Sequence, residues 1–136
     1  MDCIKDNVLK LTENFSKKEF DCRDGSEMPE GVFKRVLRLS NALQEIRWYI
    51  GLPIRITSSY RSLKYNRIIG SKDTSQHVKG NASDLQVKGM TPFELYNIIE
   101  IMIEDGKIPE GGLGLYNTFV HYDIRGYKAR WNNETN

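Results

Sequence analysis

"FVHYDIRG", Phe119–Gly126, is the stretch that decides the fold. Val120, Tyr122 and Ile124 alternate with Phe119, His121, Asp123 and Arg125, so an extended chain here carries one apolar side and one polar, ionisable side. A strand of that kind packs one face on a core and leaves the other toward water. The same period of two recurs in "IRITSSY" (Ile54–Tyr60), where Ile54 and Ile56 alternate with Arg55 and Thr57. It recurs again in "DLQV" (Asp84–Val87), where Leu85 and Val87 alternate with Asp84 and Gln86. Asp84 and His121 therefore both belong to the polar faces of short strands.

Two other segments carry the helical period. Phe33, Val36, Leu37, Ser40, Leu43, Ile46 and Ile50 recur at helical spacing, with Pro29 near the start and Gly51 and Pro53 as stop signals, which predicts a helix over about 30–50. A second helix opens at "TPFE", where Thr91 suits the N-cap, Pro92 the first turn and Glu94 the reciprocal position of a capping box. Phe93, Tyr96, Ile99 and Ile103 supply its apolar side, and Asp105-Gly106 ends it. No repeat, low-complexity tract or linker divides the chain. The expectation is one α+β domain over residues 1–136: a small, mainly antiparallel sheet backed by helices, with an open cleft on its polar face.

Composition agrees with that size of core. The chain has 136 residues, 39% of them hydrophobic and 28% charged, which suits one domain rather than two. No apolar run approaches a membrane span of about 18 residues. The start, "MDCIKDNVLK", carries acids and lysines where a secretory signal places its apolar stretch. Cytoplasmic synthesis of a soluble monomer, without membrane insertion, is the expectation. Cys3 and Cys22 are too few and too irregularly spaced for a disulfide framework or a CxxC knuckle, and read as reduced thiols. A net charge of +2 does not argue for a nucleic-acid partner, and none is expected, a basic nucleic-acid-binding domain without metal being a third and weaker reading. The charge distribution is uneven: residues 1–30 hold five basic and eight acidic side chains, whereas Arg55–Lys88 holds seven basic ones against Asp73 and Asp84. That basic span attracts an anionic ligand, or forms a solvated lysine-rich surface.

The chain has only two histidines, and one sits in "SQHVKGNASDLQV" (Ser75–Val87), shortly before Asp84. A catalytic zinc takes three protein ligands and keeps a fourth position for water, and His77, Asp84 and His121 supply such a set. With a single carboxylate the site stays net positive, which favours acidifying that water and polarising a carbonyl. Gly80, Ala82 and Ser83 are small enough for a tight loop that returns His77 to the side of Asp84. Spacing alone also fits exposed or hydrogen-bonded histidines. Rival motifs are weaker. No G-x-S-x-G elbow accompanies Ser59, Ser62 or Ser75. "GGLG" (Gly111–Gly114) is not followed by a lysine-bearing helix and reads as a tight turn before the His121 strand. "RGYKARW" (Arg125–Trp131) mixes basic and aromatic residues, with Trp131 assigned to packing.

Taken together, "SSYRS" (Ser58–Ser62), "SQHVKGNASD" (Ser75–Asp84) and "GGLGLYNTFVHYDIRG" (Gly111–Gly126) resemble the zinc D-alanyl-D-alanine carboxypeptidase family. Its relatives include phage endolysins that cut the L-alanyl-D-glutamate bond of peptidoglycan. "NFSKKEFDCRDG" (Asn14–Gly25) is similar to the opening of the compact, single-domain members, so the likeness runs from about Phe15 to Trp131. Its specific element is S-x-H-x-x-G-x-A-x-D combined with a later V-H-x-D strand.

The resemblance implies that His77, Asp84 and His121 bind Zn2+ and that Arg61 sits by the scissile carbonyl or the substrate carboxylate. Ser75 and Gln76 would lie at the cleft rim, bonding substrate or shaping the loop, and Tyr116 is a further candidate for holding the tetrahedral intermediate. One position departs from the pattern. Many members carry an acid about three residues before the last zinc histidine, where this chain has Asn117 and Thr118. Asp123 is the nearest carboxylate on the His121 face, either as the general base, the reading slightly preferred, or as an acceptor that orients His121. The function expected is zinc-dependent hydrolysis of peptidoglycan stem peptides, of carboxypeptidase or endopeptidase type. The alternative is an inactive zinc-containing wall-binding or phage tail module. By analogy, the protein acts on the cell wall as a phage or prophage product, released through a holin or carried in a virion.

Overall fold

The structure, a computed structural model, describes residues 9–135. Cys3 and most of the opening stretch lie outside the described residues. The strands are β1 (Arg55–Ser58), β2 (Ala82–Gln86), β3 (Gly112–Leu115), β4 (Val120–Asp123) and β5 (Ala129–Asn132). The helices are α1 (Glu30–Ile50), α2 (Leu63–Ile68), α3 (Gln76–Lys79) and α4 (Pro92–Glu104), preceded by a 3-10 turn at Lys17–Phe20. The sheet runs β1-β2-β4-β3-β5, antiparallel throughout except that β5 lies parallel to β3. This is the α+β architecture, with a mainly antiparallel sheet, that the alternation implies.

Helix α1 stops where Gly51 turns left-handed (φ 69°) and returns its N–H to the Arg47 carbonyl. Its buried side is Val32, Val36, Leu39, Leu43 and Ile46, while Phe33, Leu37 and Ile50 lie half-buried at the edges of that stripe. Helix α4 opens with the capping box read from its sequence: Glu94 N–H donates to Thr91 Oγ1 (3.1 Å) and Thr91 N–H to Glu94 Oε1 (2.8 Å). The apolar side is corrected in one respect. Leu95, Ile99, Met102 and Ile103 are buried, whereas Phe93, in the first turn, is 59% exposed.

Leu85, Leu113, Leu115, Val120 and Tyr122 join these helical residues in one core, each fully buried large side chain contributing about 1.5–3 kcal/mol of burial. Tyr122 satisfies its hydroxyl by donating to the Pro109 carbonyl (2.7 Å). The opposite face of the sheet carries a row across all five strands: Ser58 opposite Asp84, Asp84 opposite His121, His121 opposite Gly114, and Gly114 opposite Trp131. Asp84, His121 and Trp131 of that row line the cleft.

The glycines of "GGLG" correct the tight-turn expectation, because Gly112 and Gly114 lie in β3 and Gly111 leads into it. A Cβ at Gly112 would collide with the Asp123 carboxylate, and one at Gly114 with the Trp131 indole. The glycines are therefore there for close approach from neighbouring strands rather than for a turn. In β3 the apolar Leu113 and Leu115 alternate with glycines rather than with polar side chains, so the period is masked as a glycine-rich turn.

Candidate metal centre

His77 is delivered by α3, a single helical turn. Ser75 caps it, its Oγ accepting from His77 N–H (3.2 Å), and Gly80 ends it at φ 82°, with its N–H returned to the Gln76 and His77 carbonyls. Gly80 packs so closely on Val32 and Val36 of α1 that a Cβ there would collide with them. Both facts require glycine, and the turn they make feeds directly into β2 and Asp84. Asp84 and His121 then face each other across the β2–β4 ladder.

The three side chains are buried and converge. His77 Nε2 and His121 Nδ1 each lie 3.3 Å from Asp84 Oδ1, and one ligand atom from each residue falls within 4.8 Å of the others. The outer nitrogens are engaged elsewhere. His77 Nδ1 lies 2.7 Å from the Ser59 carbonyl, which can only accept, so Nδ1 bears the proton and Nε2 turns a lone pair inward. His121 Nε2 lies 2.7 Å from Asp123 Oδ2 and donates to that carboxylate, leaving Nδ1 inward. Asp84 Oδ1 is buried without a hydrogen-bond donor, because neither 3.3 Å contact has hydrogen-bond geometry. Two lone pairs and a carboxylate oxygen thus point at one spot, which a cation fits and a neutral packing partner does not.

Charge supports the same conclusion. Burial would raise the Asp84 carboxyl, but the flanking imidazoles outweigh it and hold Asp84 well below the ordinary carboxylate range. Burial pushes His77 down and keeps it neutral. For His121 burial also acts downward, but Asp123 and Asp84 overcome it and its pKa is raised. The pocket demands positive charge, supplied by a proton on His121 or by a metal ion that replaces it.

Arg61 reaches the same cleft, which has a volume of about 1000 Å³. Its Nε donates to Ser58 Oγ (3.3 Å), Nη1 to Asn66 Oδ1 (3.3 Å), and Nη2 lies 3.8 Å from Asp84 Oδ2, with 14% of the side chain exposed. Asn66 is fully buried and also donates to the Lys72 carbonyl (2.8 Å), so it ties Arg61 to the rim loop. Asn66 escaped sequence reading because one asparagine beginning no motif carries no signal. Ser75 and Gln76 line the rim, and both shape the loop: Ser75 caps α3 and Gln76 Oε1 accepts from Asn81 Nδ2 (3.0 Å). Tyr116 also lines the cleft, and so does Trp131, which the sequence assigned to packing.

Asp123 is placed otherwise than a base requires. Its side chain is 0% exposed, behind His121 on the side away from Nδ1. Oδ1 accepts from the N–H groups of Gly112 (2.9 Å) and Arg125 (3.1 Å) and from Arg125 Nε (2.9 Å), while Oδ2 accepts from His121 Nε2 and Arg125 Nη2, each at 2.7 Å. With both oxygens taken and no path to the cleft, the preferred base reading does not fit, and the orienting one does. Thr118 does not fill the gap, because it lines a separate groove beside β1 and α4. Among the described residues lining the cleft, Asp84 is the one carboxylate, against Arg61, Lys72, Lys79 and Arg125.

Cys22 is a buried free thiol that accepts from the Ser62 N–H (3.3 Å), in keeping with its reading as a reduced cysteine. No helix among the described residues is long and apolar enough to cross a membrane. A family model described as Peptidase M15 matches residues 13–123. No curated protein matches the chain.

Proposed function

The chain belongs to the peptidase M15 family, and from that membership and the convergence of His77, Asp84 and His121 we propose a zinc peptidase that cuts the stem peptides of bacterial peptidoglycan. Membership makes the protein a metallopeptidase with a peptide substrate; zinc and the bacterial wall are what the proposal adds. When bound, zinc would supply a Lewis acid that polarises a carbonyl and activates water.

The remaining work falls to the chain itself. His77 Nε2, Asp84 Oδ1 and His121 Nδ1 would hold the ion, with the Ser59 carbonyl and Asp123 keeping both rings turned correctly. Arg61, steadied by Ser58 and Asn66, presents a guanidinium edge to a substrate carboxylate or a developing oxyanion. The surplus of cations around the cleft favours a peptide carrying free carboxylates, as wall stem peptides do. Both terminal carboxypeptidase cleavage and internal endopeptidase cleavage are compatible with this arrangement. Action at the cell wall, by a phage or prophage product released through a holin or carried in a virion, extends the proposal by family analogy alone.

The observation that carries the proposal is Asp84 Oδ1, buried between two inward imidazole nitrogens with no donor. Metal content after purification tests it, with one zinc per chain expected in the wild type and none in His77→Ala. Purified peptidoglycan should release free D-alanine or newly cleaved stem peptides, the activity abolished by a chelator and restored by zinc. A protein that carries no zinc and cuts no wall peptide refutes the proposal.

A further inference from the structure

Trp131 lies beyond the residues that the family model matches, yet it lines the cleft. Its strand is held in place by the neighbouring Arg130, whose guanidinium reaches Glu100 (2.7 Å) and Glu110 (2.8 Å) and donates to the Gly111 carbonyl (2.7 Å). Opposite Trp131 stands Gly114, and the missing side chain there gives the indole its seat. From that seat the indole approaches the His121 ring, with centroids 4.9 Å apart and planes at 51°.

The indole N–H donates to Tyr116 Oη at 2.9 Å. The Tyr116 ring is also stacked on Phe119, with centroids 4.3 Å apart and planes at 12°, across a turn in which Tyr116 N–H donates to the Phe119 carbonyl (3.1 Å). An indole N–H can only donate, so this bond occupies a lone pair of the phenol oxygen. The phenol's own proton has no acceptor among the described residues.

We infer that Trp131 is a positioning residue and Tyr116 the catalytic residue it serves: the indole holds the phenol so that its O–H donates to the substrate carbonyl oxygen as negative charge develops there. The phenol keeps its proton throughout, giving a hydrogen bond and transferring nothing. The arrangement adds a neutral donor to the cleft that Arg61 also lines, already oriented before substrate arrives. This inference rests on the peptidase reading above.

Kinetics of Tyr116→Phe, Trp131→Phe and the double variant test it, using zinc-loaded protein and soluble muropeptides freed from purified peptidoglycan by a glycan-cleaving enzyme. Tyr116→Phe should lower kcat about tenfold to hundredfold with KM changed less than about twofold. Trp131→Phe keeps an aromatic ring and loses the N–H, and should lower kcat in the wild-type background but by less than about twofold when Tyr116 is already Phe. A second readout does not depend on turnover. The Trp131 indole proton should exchange slowly by NMR and faster in Tyr116→Phe, with Trp48, 54% exposed, as the fast reference.

Unimpaired kcat in Tyr116→Phe overturns the donor role alone. An equal loss from Trp131→Phe in both backgrounds, or indole exchange indifferent to Tyr116, overturns the positioning role. A wild type that cuts nothing overturns the peptidase reading and this inference together.

Discussion

Replacing Asp123 with asparagine keeps the side chain's shape and removes its charge. Every group facing the carboxylate is a donor: Gly112 N–H, Arg125 N–H, Nε and Nη2, and His121 Nε2. In either orientation the new amide nitrogen therefore meets donors with donors. Removing one partner of a buried ion pair costs about 3–5 kcal/mol, and because the Arg125 side chain is 18% exposed the lower end, about 3 kcal/mol, is expected. For a chain of this length that corresponds to a fall in Tm of roughly 10 °C. His121 also loses the acceptor that fixes its ring, so zinc affinity should drop about 10- to 100-fold.

Denaturant unfolding of metal-free protein measures the first effect, and competition with a chromophoric chelator the second. The stability gap should also depend on pH. Burial alone would raise the Asp123 carboxyl, but the hydrogen bonds from Arg125 and His121 outweigh it and hold Asp123 well below the ordinary range. Its folded pKa thus lies under the unfolded value of about 3.9, so the stabilisation is complete above that pH and fades as pH falls toward the folded value. The difference between wild type and Asp123→Asn should shrink below about pH 4. A variant with wild-type stability and zinc affinity but no turnover would refute this reasoning and return Asp123 to the role of base.

Three further outcomes are expected. Chelation should lower the Tm of the wild type, since free zinc at 100 times its Kd adds about 2.7 kcal/mol, and leave His121→Ala unchanged; equal chelator responses would show that the ion sits elsewhere. Gly114→Ala drives a methyl group into the Trp131 indole and should cost about 1–3 kcal/mol in denaturant unfolding, with altered tryptophan fluorescence; wild-type behaviour would mean that the indole does not sit there. Asn66→Ala leaves the Lys72 carbonyl and one Arg61 nitrogen without their partner. It should cost about 1–3 kcal/mol in unfolding and raise KM for wall peptides, and an unchanged KM would show that Arg61 needs no such support.

The stretch where the family resemblance leads one to expect an acid holds Asn117 and Thr118; Thr118 lines a different groove, and Asp123 is closed off behind His121. Among the described residues, the one cleft-lining carboxylate oxygen beyond the inward-facing Oδ1 is Asp84 Oδ2, and it lies 3.8 Å from Arg61 Nη2. The chain's polar groups in the cleft are therefore arranged mainly to bind and orient negative charge.

Local chemistry was enough to read much of this molecule. Alternation of apolar residues reports which face of a strand packs on the core, and it put Asp84 and His121 together on the opposite, polar face before any pairing was known, although the folded cleft buries both. Capping is equally local, so the start of α4 and the end of α1 were legible from a few side chains each. The small residues after His77 announced the turn that Gly80 makes. Strand β3 escaped because its glycines mimic a turn, and their real purpose, room for Asp123 and Trp131, lies on other strands. The tautomers of the two histidines, the burial of Asp123, the support of Arg61 by Asn66 and the arrival of Trp131 beside His121 were decided only by the tertiary structure. A residue's intrinsic period depends on its neighbours in sequence, whereas the direction of a lone pair depends on whichever distant backbone or side chain the folded chain brings against it.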